Sequence, residues 1–136
     1  MLKISMFMLC DSIAPGTPIP QLIGPQAVLR PSFIPGNFSF GLAAAVTGIN
    51  VLQPHTFSFS ISNPQKKIVQ HSPSQQLPIE LNIEKNPLPE KYQGIMVAMD
   101  IRNLLIEEEG EYIFTIYIDD ENASYSFPIY KKYSHE

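Results

Sequence analysis

Cys10 is the only cysteine of the chain, and it ends an apolar run that begins at Met6 and is followed by Asp11. A catalytic thiol needs a nearby base and a lowered pKa, which a histidine or a helix N-terminus usually supplies. An apolar strand would instead raise the pKa of the thiol, and the nearest histidine in sequence is His55. We therefore predict a buried structural thiol and no catalytic residue. A cysteine-dependent enzyme is the weaker alternative.

The three histidines, His55, His71 and His135, lack the short spacings with which zinc ligands occur in pairs. His55 opens a predicted strand, His71 precedes a Ser-Pro turn, and His135 lies two residues into a polar C-terminal tail. We predict that all three are surface residues and that the protein holds no metal or other cofactor.

Acidic residues form two groups, one on each side of a predicted strand from 111 to 119. The strand would hold the groups roughly 25 Å apart at ~3.3 Å per residue. Catalytic carboxylate pairs stand less than ~10 Å apart, and a calcium ion needs its ligands around one point. We predict two solvated turns and keep a calcium- or carbohydrate-binding module as the alternative function. The groups are Glu107, Glu108, Glu109 and Glu111, and Asp119, Asp120, Glu121 and Asn122.

Charge and hydropathy exclude two kinds of partner. The formal net charge is -4 and the basic residues do not cluster, which argues against a nucleic acid. No apolar run approaches the ~18 residues of a membrane span. The apolar stretch from Ile4 to Cys10 barely reaches the length of a signal-peptide core, and no small-residue cleavage site follows it. We predict a cytoplasmic protein.

Proline and side-chain alternation define the fold class. The sequence contains 13 prolines, which exclude long helices from about the first 90 residues. Apolar and polar residues alternate with period two in 55–62 and 78–84. We predict a single domain over 1–136, an all-β antiparallel sandwich of the immunoglobulin-like or C2-like kind. It would have about eight or nine strands.

Particular strands and turns follow from the same pattern. Asn63-Pro64 indicates a hairpin turn, and residues 111–119 and 123–130 form a second hairpin whose later arm contains Pro128. Proline removes a backbone donor, so that arm is predicted to be an edge strand. Residues 94–110 are ambiguous: we favour a strand from 94 to 101 and then a turn through Asn103, with a short helix as the alternative.

Five short motifs resemble a family of small bacterial β-sandwich proteins of about 130 residues with no assigned function. Their order along the chain also matches, whereas Gly16-Thr17-Pro18 departs from the Gly-Lys of the relatives. The resemblance implies a β-sandwich and brings no activity with it. The motifs are Cys10-Asp11, Leu22-Ile23-Gly24, Phe33-Ile34-Pro35, Asn63-Pro64 and Gly110-Glu111-Tyr112.

With catalysis disfavoured, function is expected to reside in a surface. The hairpin over 111–130 carries apolar residues on both faces, so one face would need a covering element or a partner. We predict a non-catalytic interaction or accessory module that binds a protein partner or a second copy of itself. The alternative is that the monomer covers both faces. Tyr112 resembles the tyrosine corner of sandwiches. The predicted interaction surface consists of Ile113, Tyr117, Tyr125 and Tyr130.

Overall fold

The computed structural model describes residues 2–15, 21–77 and 88–132, which contain nine strands and one short helical turn. No helix in these ranges is long and apolar enough to cross a membrane. The strands are β1 (Lys3–Ile13), β2 (Leu22–Gln26), β3 (Gly36–Thr47), β4 (His55–Ser62), β5 (Ile68–His71), β6 (Gln75–Leu77), β7 (Gly94–Ile106), β8 (Gly110–Ile118) and β9 (Glu121–Ile129).

The strands form two antiparallel sheets that face each other. One sheet has the order β2-β1-β3-β7, and the other has the order β5-β4-β8-β9 with β6 paired to β4 beside β5. The prediction of an all-β antiparallel sandwich is confirmed, whereas its immunoglobulin-like or C2-like kind stays a prediction. The predicted strand at 78–84 lies outside the described residues.

The core fills the space between the sheets, and period-two alternation explains which side chains reach it. In β4 and β8, Phe57, Phe59 and Ile61 stand opposite Ile118, Ile116 and Phe114, so these six side chains share the inner face. The largest fully buried side chains come from both sheets, which shows that one apolar cluster holds them together. They include Phe40, Leu42, Tyr112, Phe114 and Phe127.

Strand β7 is longer than the sequence predicted. It continues past residue 101 to Ile106, and neither the turn at Asn103 nor a short helix there is present. Asn103 has a positive φ of 54°, and its neighbour β3 changes register between Phe38 and Phe40 at the same level. The irregularity is therefore absorbed as a bulge inside a continuous pair of strands. The helical turn among the described residues is a 3₁₀ turn at Glu90–Tyr92.

Both predicted hairpin turns are present, one of them tighter than expected. The side chain of Asn63 accepts hydrogen bonds from the backbone N–H groups of Gln65 and Lys67, which closes the turn between β4 and β5. The turn between β8 and β9 contains two residues, Asp119 and Asp120, so Glu121 and Asn122 belong to β9. Strand β9 lies at the sheet edge, as Pro128 indicated.

Tyr112 forms the predicted tyrosine corner. Its side chain is buried, and its hydroxyl donates a 2.8 Å hydrogen bond to the carbonyl oxygen of Glu108, four residues earlier. Burial raises the pKa of the phenol above its ordinary value, so the hydroxyl keeps the proton that this bond requires. The bond joins the acidic loop to the core at the start of β8.

Candidate functional site

Cys10 is buried, but it does not lie in the core between the sheets. Leu9 packs into the core, and Cys10, the next residue along β1, therefore points to the outer face of the four-stranded sheet, the face turned away from the other sheet. It stands opposite Gly41, whose missing side chain leaves room for the sulfur: a Cβ built at Gly41 would lie 2.7 Å from Sγ. The glycine therefore leaves the space that the buried sulfur occupies.

The surroundings of Cys10 do not activate its thiol. The S–H group donates to the carbonyl oxygen of Ser12 at 3.3 Å, and the sulfur is free of any disulfide. Burial raises the pKa of Cys10, and the negative charges of Asp100 and Asp11 raise it further. A thiol with a raised pKa is a poor nucleophile at neutral pH because the thiolate carries the reactivity.

His55 is not the surface residue that the sequence predicted. Its side chain is 13% exposed, and both ring nitrogens are engaged. Nδ1 lies 2.5 Å from Oδ2 of Asp119, and Nε2 lies 2.6 Å from the carbonyl oxygen of Asn50. The hydrogen bond to Asp119 raises the pKa of His55, and the same bond lowers the pKa of Asp119. The imidazole holds two loops together and has no free nitrogen for catalysis.

The other two histidines are placed differently. His71 is exposed at the end of β5, in agreement with its prediction, and His135 lies outside the described residues. Within residues 2–15, 21–77 and 88–132 no group of three or more histidine, cysteine, aspartate or glutamate side chains could hold a metal ion.

The two acidic groups lie at opposite ends of β8, as predicted. Several of their carboxylates accept hydrogen bonds from the protein itself. Glu109 accepts from the backbone N–H of Lys131 at 2.8 Å, and Glu111 accepts from the hydroxyl of Ser126 at 3.0 Å. Glu108 accepts from the side-chain amide of Gln65 at 3.2 Å. These bonds give the carboxylates a role in tying loops and strands together.

The structure does not bring the four residues of the predicted interaction surface onto one face. Ile113 and Tyr117 lie on the outer face of the five-stranded sheet, where Tyr117 covers Ser60 with a hydroxyl-to-hydroxyl distance of 3.3 Å. Tyr125 stands opposite the buried Phe114 and therefore shares the inner face, where its ring stacks on Phe7 with centroids 4.5 Å apart. Tyr130 follows the end of β9.

The outer face around Ile113 and Tyr117 is mostly polar. The residues beside them on β4 and β9 are small hydroxyl or amide side chains, and Thr115 and Ser124 hydrogen bond to each other at 2.8 Å. An apolar partner would find little surface here. The polar residues of this face include Ser58, Ser60 and Ser62 on β4 and Asn122, Ser124 and Ser126 on β9.

The apolar outer face belongs to the other sheet and contains none of the four residues of the predicted interaction surface. Methionines on β1 and β7 flank small residues on the central strand β3, with Ile23 of β2 alongside. Met6, Met8, Met96 and Ile23 are 46%, 40%, 46% and 51% exposed. We call this surface the methionine face; it consists of Met6, Met8, Ile23, Gly41, Ala43, Ala45, Met96 and Ala98. In the sequence, Met6 and Met8 alternate with Phe7 and Leu9, which pack on the core, so both faces of this part of β1 are apolar.

A cavity of about 290 Å³ opens between the edge strand β9 and the strands β1 and β2. Its walls are largely apolar, and Tyr125 lies at its rim beside Phe7. The cavity is lined by Phe7, Met8, Leu9, Gln26, Ala27 and residues 125–128.

These features define the protein as an all-β sandwich whose buried thiol and histidine serve structural contacts. The chain belongs to a family of unknown function (DUF6941), whose sequence model matches residues 5–130. This match confirms the expectation of a small family without an assigned function. No curated protein matches the chain.

Proposed function

We propose that this protein is a non-catalytic interaction module that binds an amphipathic helix of a partner protein on its methionine face. The observation that carries the proposal is the row of exposed methionines on an outer sheet face, where polar residues would be expected. Methionine side chains are flexible and polarisable, and they are common on surfaces that adapt to a partner.

The shape of the methionine face supports a helix as the occupant. Met6 on β1 and Met96 on β7 stand on either side of Ala45 on β3. Neighbouring strands are ~4.8 Å apart, and β1 and β7 are separated by β3. The two methionine side chains therefore project from the sheet about 10 Å apart. That distance matches the ~10 Å diameter of an α-helix. An amphipathic helix could therefore lie along β3 with its apolar side chains between the methionines.

The size of the face disfavours a second copy of the chain as the occupant. Four strands and three rows of side chains cover roughly 20 Å by 20 Å, or about 400 Å². Stable dimers bury about 800 Å² on each partner. A narrow helix that reaches beyond the sheet needs less of this surface than a second sandwich does.

Three further observations support a non-catalytic role and a cytoplasmic location. The thiol of Cys10 has a raised pKa, and both ring nitrogens of His55 are engaged in hydrogen bonds. A single cysteine forms no internal disulfide, so the fold does not depend on an oxidising compartment. The proposal is thus a cytoplasmic accessory protein that acts by binding.

A display library of random 16-residue peptides tests the proposal. We expect selected peptides to carry apolar residues at helical spacing and to bind at least tenfold more weakly to Met6→Lys and Met96→Lys. Ile68→Lys is the matched control, because Ile68 is 53% exposed on the other sheet. Near-ultraviolet circular dichroism verifies the fold of each variant.

Two results would contradict the proposal. One is the selection of peptides without helical spacing, or of none above background. The other is a concentration-dependent dimer in sedimentation that Met96→Lys abolishes, which would assign the methionine face to a second copy of the chain.

A further inference from the structure

We propose that the free edge of β9 accepts an extended segment of a partner protein as an additional strand, with one apolar side chain in the cavity beside it. The edge belongs to the other sheet, whereas the cavity beside it also reaches β1, where Met8 borders both the cavity and the methionine face. An exposed sheet edge offers backbone donors and acceptors that an extended peptide can satisfy, and a neighbouring pocket selects its side chain.

The backbone groups at this edge can be assigned from Pro128. Its carbonyl oxygen accepts a hydrogen bond from the N–H of Leu29, so it points away from β8. Backbone groups alternate in direction along an antiparallel strand. The N–H and C=O groups of Asn122, Ser124 and Ser126 therefore point outward as well. Within the part of the chain that the structure describes, no hydrogen bond reaches these outward N–H groups.

The same edge already carries an added segment further along. Leu29 forms a parallel bridge with Ile129, and the N–H of Tyr130 donates to the carbonyl of Leu29 at 3.0 Å. The N–H of Lys132 then donates to the carbonyl of Pro31, also at 3.0 Å. Backbone groups at this end of the edge are thus already used for pairing with an added segment. The hydrogen bonds from residues 29–31 to this edge reach no further than Pro128. Residues 122–126 therefore remain for an incoming strand.

The cavity supplies a place for one side chain of that strand. It borders the edge at Ser126 and Pro128, and its floor includes Phe7, Leu9 and Phe127. Its volume of about 290 Å³ lies just below the ~300–1,000 Å³ range of small-molecule sites. This size suits a single leucine or aromatic side chain better than a cofactor.

Charges near the edge specify the partner further. Glu121 is exposed at one end of the free segment, Glu111 is exposed on β8 opposite Pro128, beyond the other end, and the whole chain has a net charge of -4. A positively charged segment would be attracted to this region. The inferred occupant is an extended stretch with an apolar anchor flanked by lysine or arginine.

The experiment selects 12-residue peptides from a random display library against the full chain and measures their binding to two variants. Ser124→Pro removes one outward N–H and keeps the backbone hydrogen bonds to β8, although the side-chain bond from Ser124 to Thr115 is lost, and Ala27→Phe fills the cavity. We expect each to weaken binding at least tenfold. Ser124→Ala loses the same side-chain bond but keeps the N–H, so it is the matched control. Met96→Lys should leave this binding unchanged, which separates the site from the methionine face.

Amide hydrogen exchange gives a second measurement that does not depend on a variant folding. We expect the N–H groups of Asn122, Ser124 and Ser126 to exchange rapidly in the free protein and to be protected in the complex. Binding that is insensitive to Ser124→Pro, unprotected amides in the complex, or no selected peptide would overturn the proposal. A dimer that Ser124→Pro abolishes would also overturn it, since it would assign the edge to a second copy.

Discussion

The imidazole of His55 bridges the carboxylate of Asp119 and the carbonyl oxygen of Asn50, with one acceptor at each ring nitrogen. A neutral imidazole has only one N–H, so both bonds form only when the ring is protonated. Oδ1 of Asp119 also accepts a hydrogen bond from the N–H of Thr56 at 3.0 Å. The charged pair therefore joins the loop after β3, the start of β4 and the turn between β8 and β9.

The first prediction is that this bridge makes stability depend on pH. The folded-state pKa of His55 is raised above 6.5, so its contribution is complete below about pH 6.5 and is lost as the pH rises through the raised value. The pKa of Asp119 is lowered below 3.8, so its contribution is present above about pH 4 and is lost as the pH falls through the lowered value. The bridge is strongest between these limits.

Thermal melts of the wild type and His55→Gln over pH 5 to 9 measure the effect. We expect the variant to melt about 2–4 °C lower at pH 6 and the gap to shrink at pH 8.5, because an exposed carboxylate limits the pair to about 1 kcal/mol or less. Glu90 and Glu121 line a small surface pocket together with His55 and Asp119, and both are left intact in the variant. His71→Gln is the control. A gap that grows with pH would contradict the assignment of a charged imidazole.

Alternation predicted the fold better than the local turn signals did. The predicted strand at 55–62 matches β4, because each of its apolar residues stands opposite an apolar residue of β8 on the inner face. The prediction of a turn at Asn103 was wrong, because residues that favour turns express only a local conformational preference. Pairing with β3 carries the chain through Asn103 as a bulge, and the inner-face residues Leu104 and Ile106 remain buried.

The residues of the predicted interaction surface do not share one face of the sheet, because the face on which a side chain lies depends on the strand register. In a hairpin with a two-residue turn, Tyr125 stands opposite Phe114, and directly opposed residues share a face. Turn length could have revealed this from the sequence. The methionine face could not be recognised in the same way, since alternation in Met6–Leu9 gives two apolar faces and does not state which one another layer covers.

The second prediction concerns the tyrosine corner. Tyr112→Phe removes the hydroxyl that donates to Glu108 and leaves that carbonyl oxygen without this donor, so we expect a loss of about 1–2 kcal/mol. Urea unfolding measures the loss. Tyr92→Phe is the control, because the Tyr92 side chain is exposed and should tolerate the change. Equal effects of the two substitutions would show that the bond does not stabilise the corner.

The third prediction compares two phenylalanines on the inner face. Phe114 is fully buried, and its ring lies near those of Phe7 and Phe59. Phe59 is half-buried at the core margin. We expect Phe114→Ala to cost about 3–5 kcal/mol and Phe59→Ala clearly less, because partial exposure reduces both the transfer loss and the cavity. Urea midpoints at a common slope provide the comparison, and a larger loss at Phe59 would contradict the placement of the core.

The fourth prediction is that Cys10 and Gly41 are coupled. A methyl group at Gly41 would lie 2.7 Å from the sulfur and 3.2 Å from backbone atoms of Ser12. Gly41→Ala should therefore cost about 1–3 kcal/mol in the wild type. In a Cys10→Ala background the contact with sulfur is gone, whereas the contact with Ser12 remains. We expect the cost to fall without reaching zero. Gly36→Ala serves as the control, because its nearest neighbours belong to Phe33 and its cost should not depend on Cys10. Additive effects of Cys10→Ala and Gly41→Ala would show that the glycine does not make the space for the thiol.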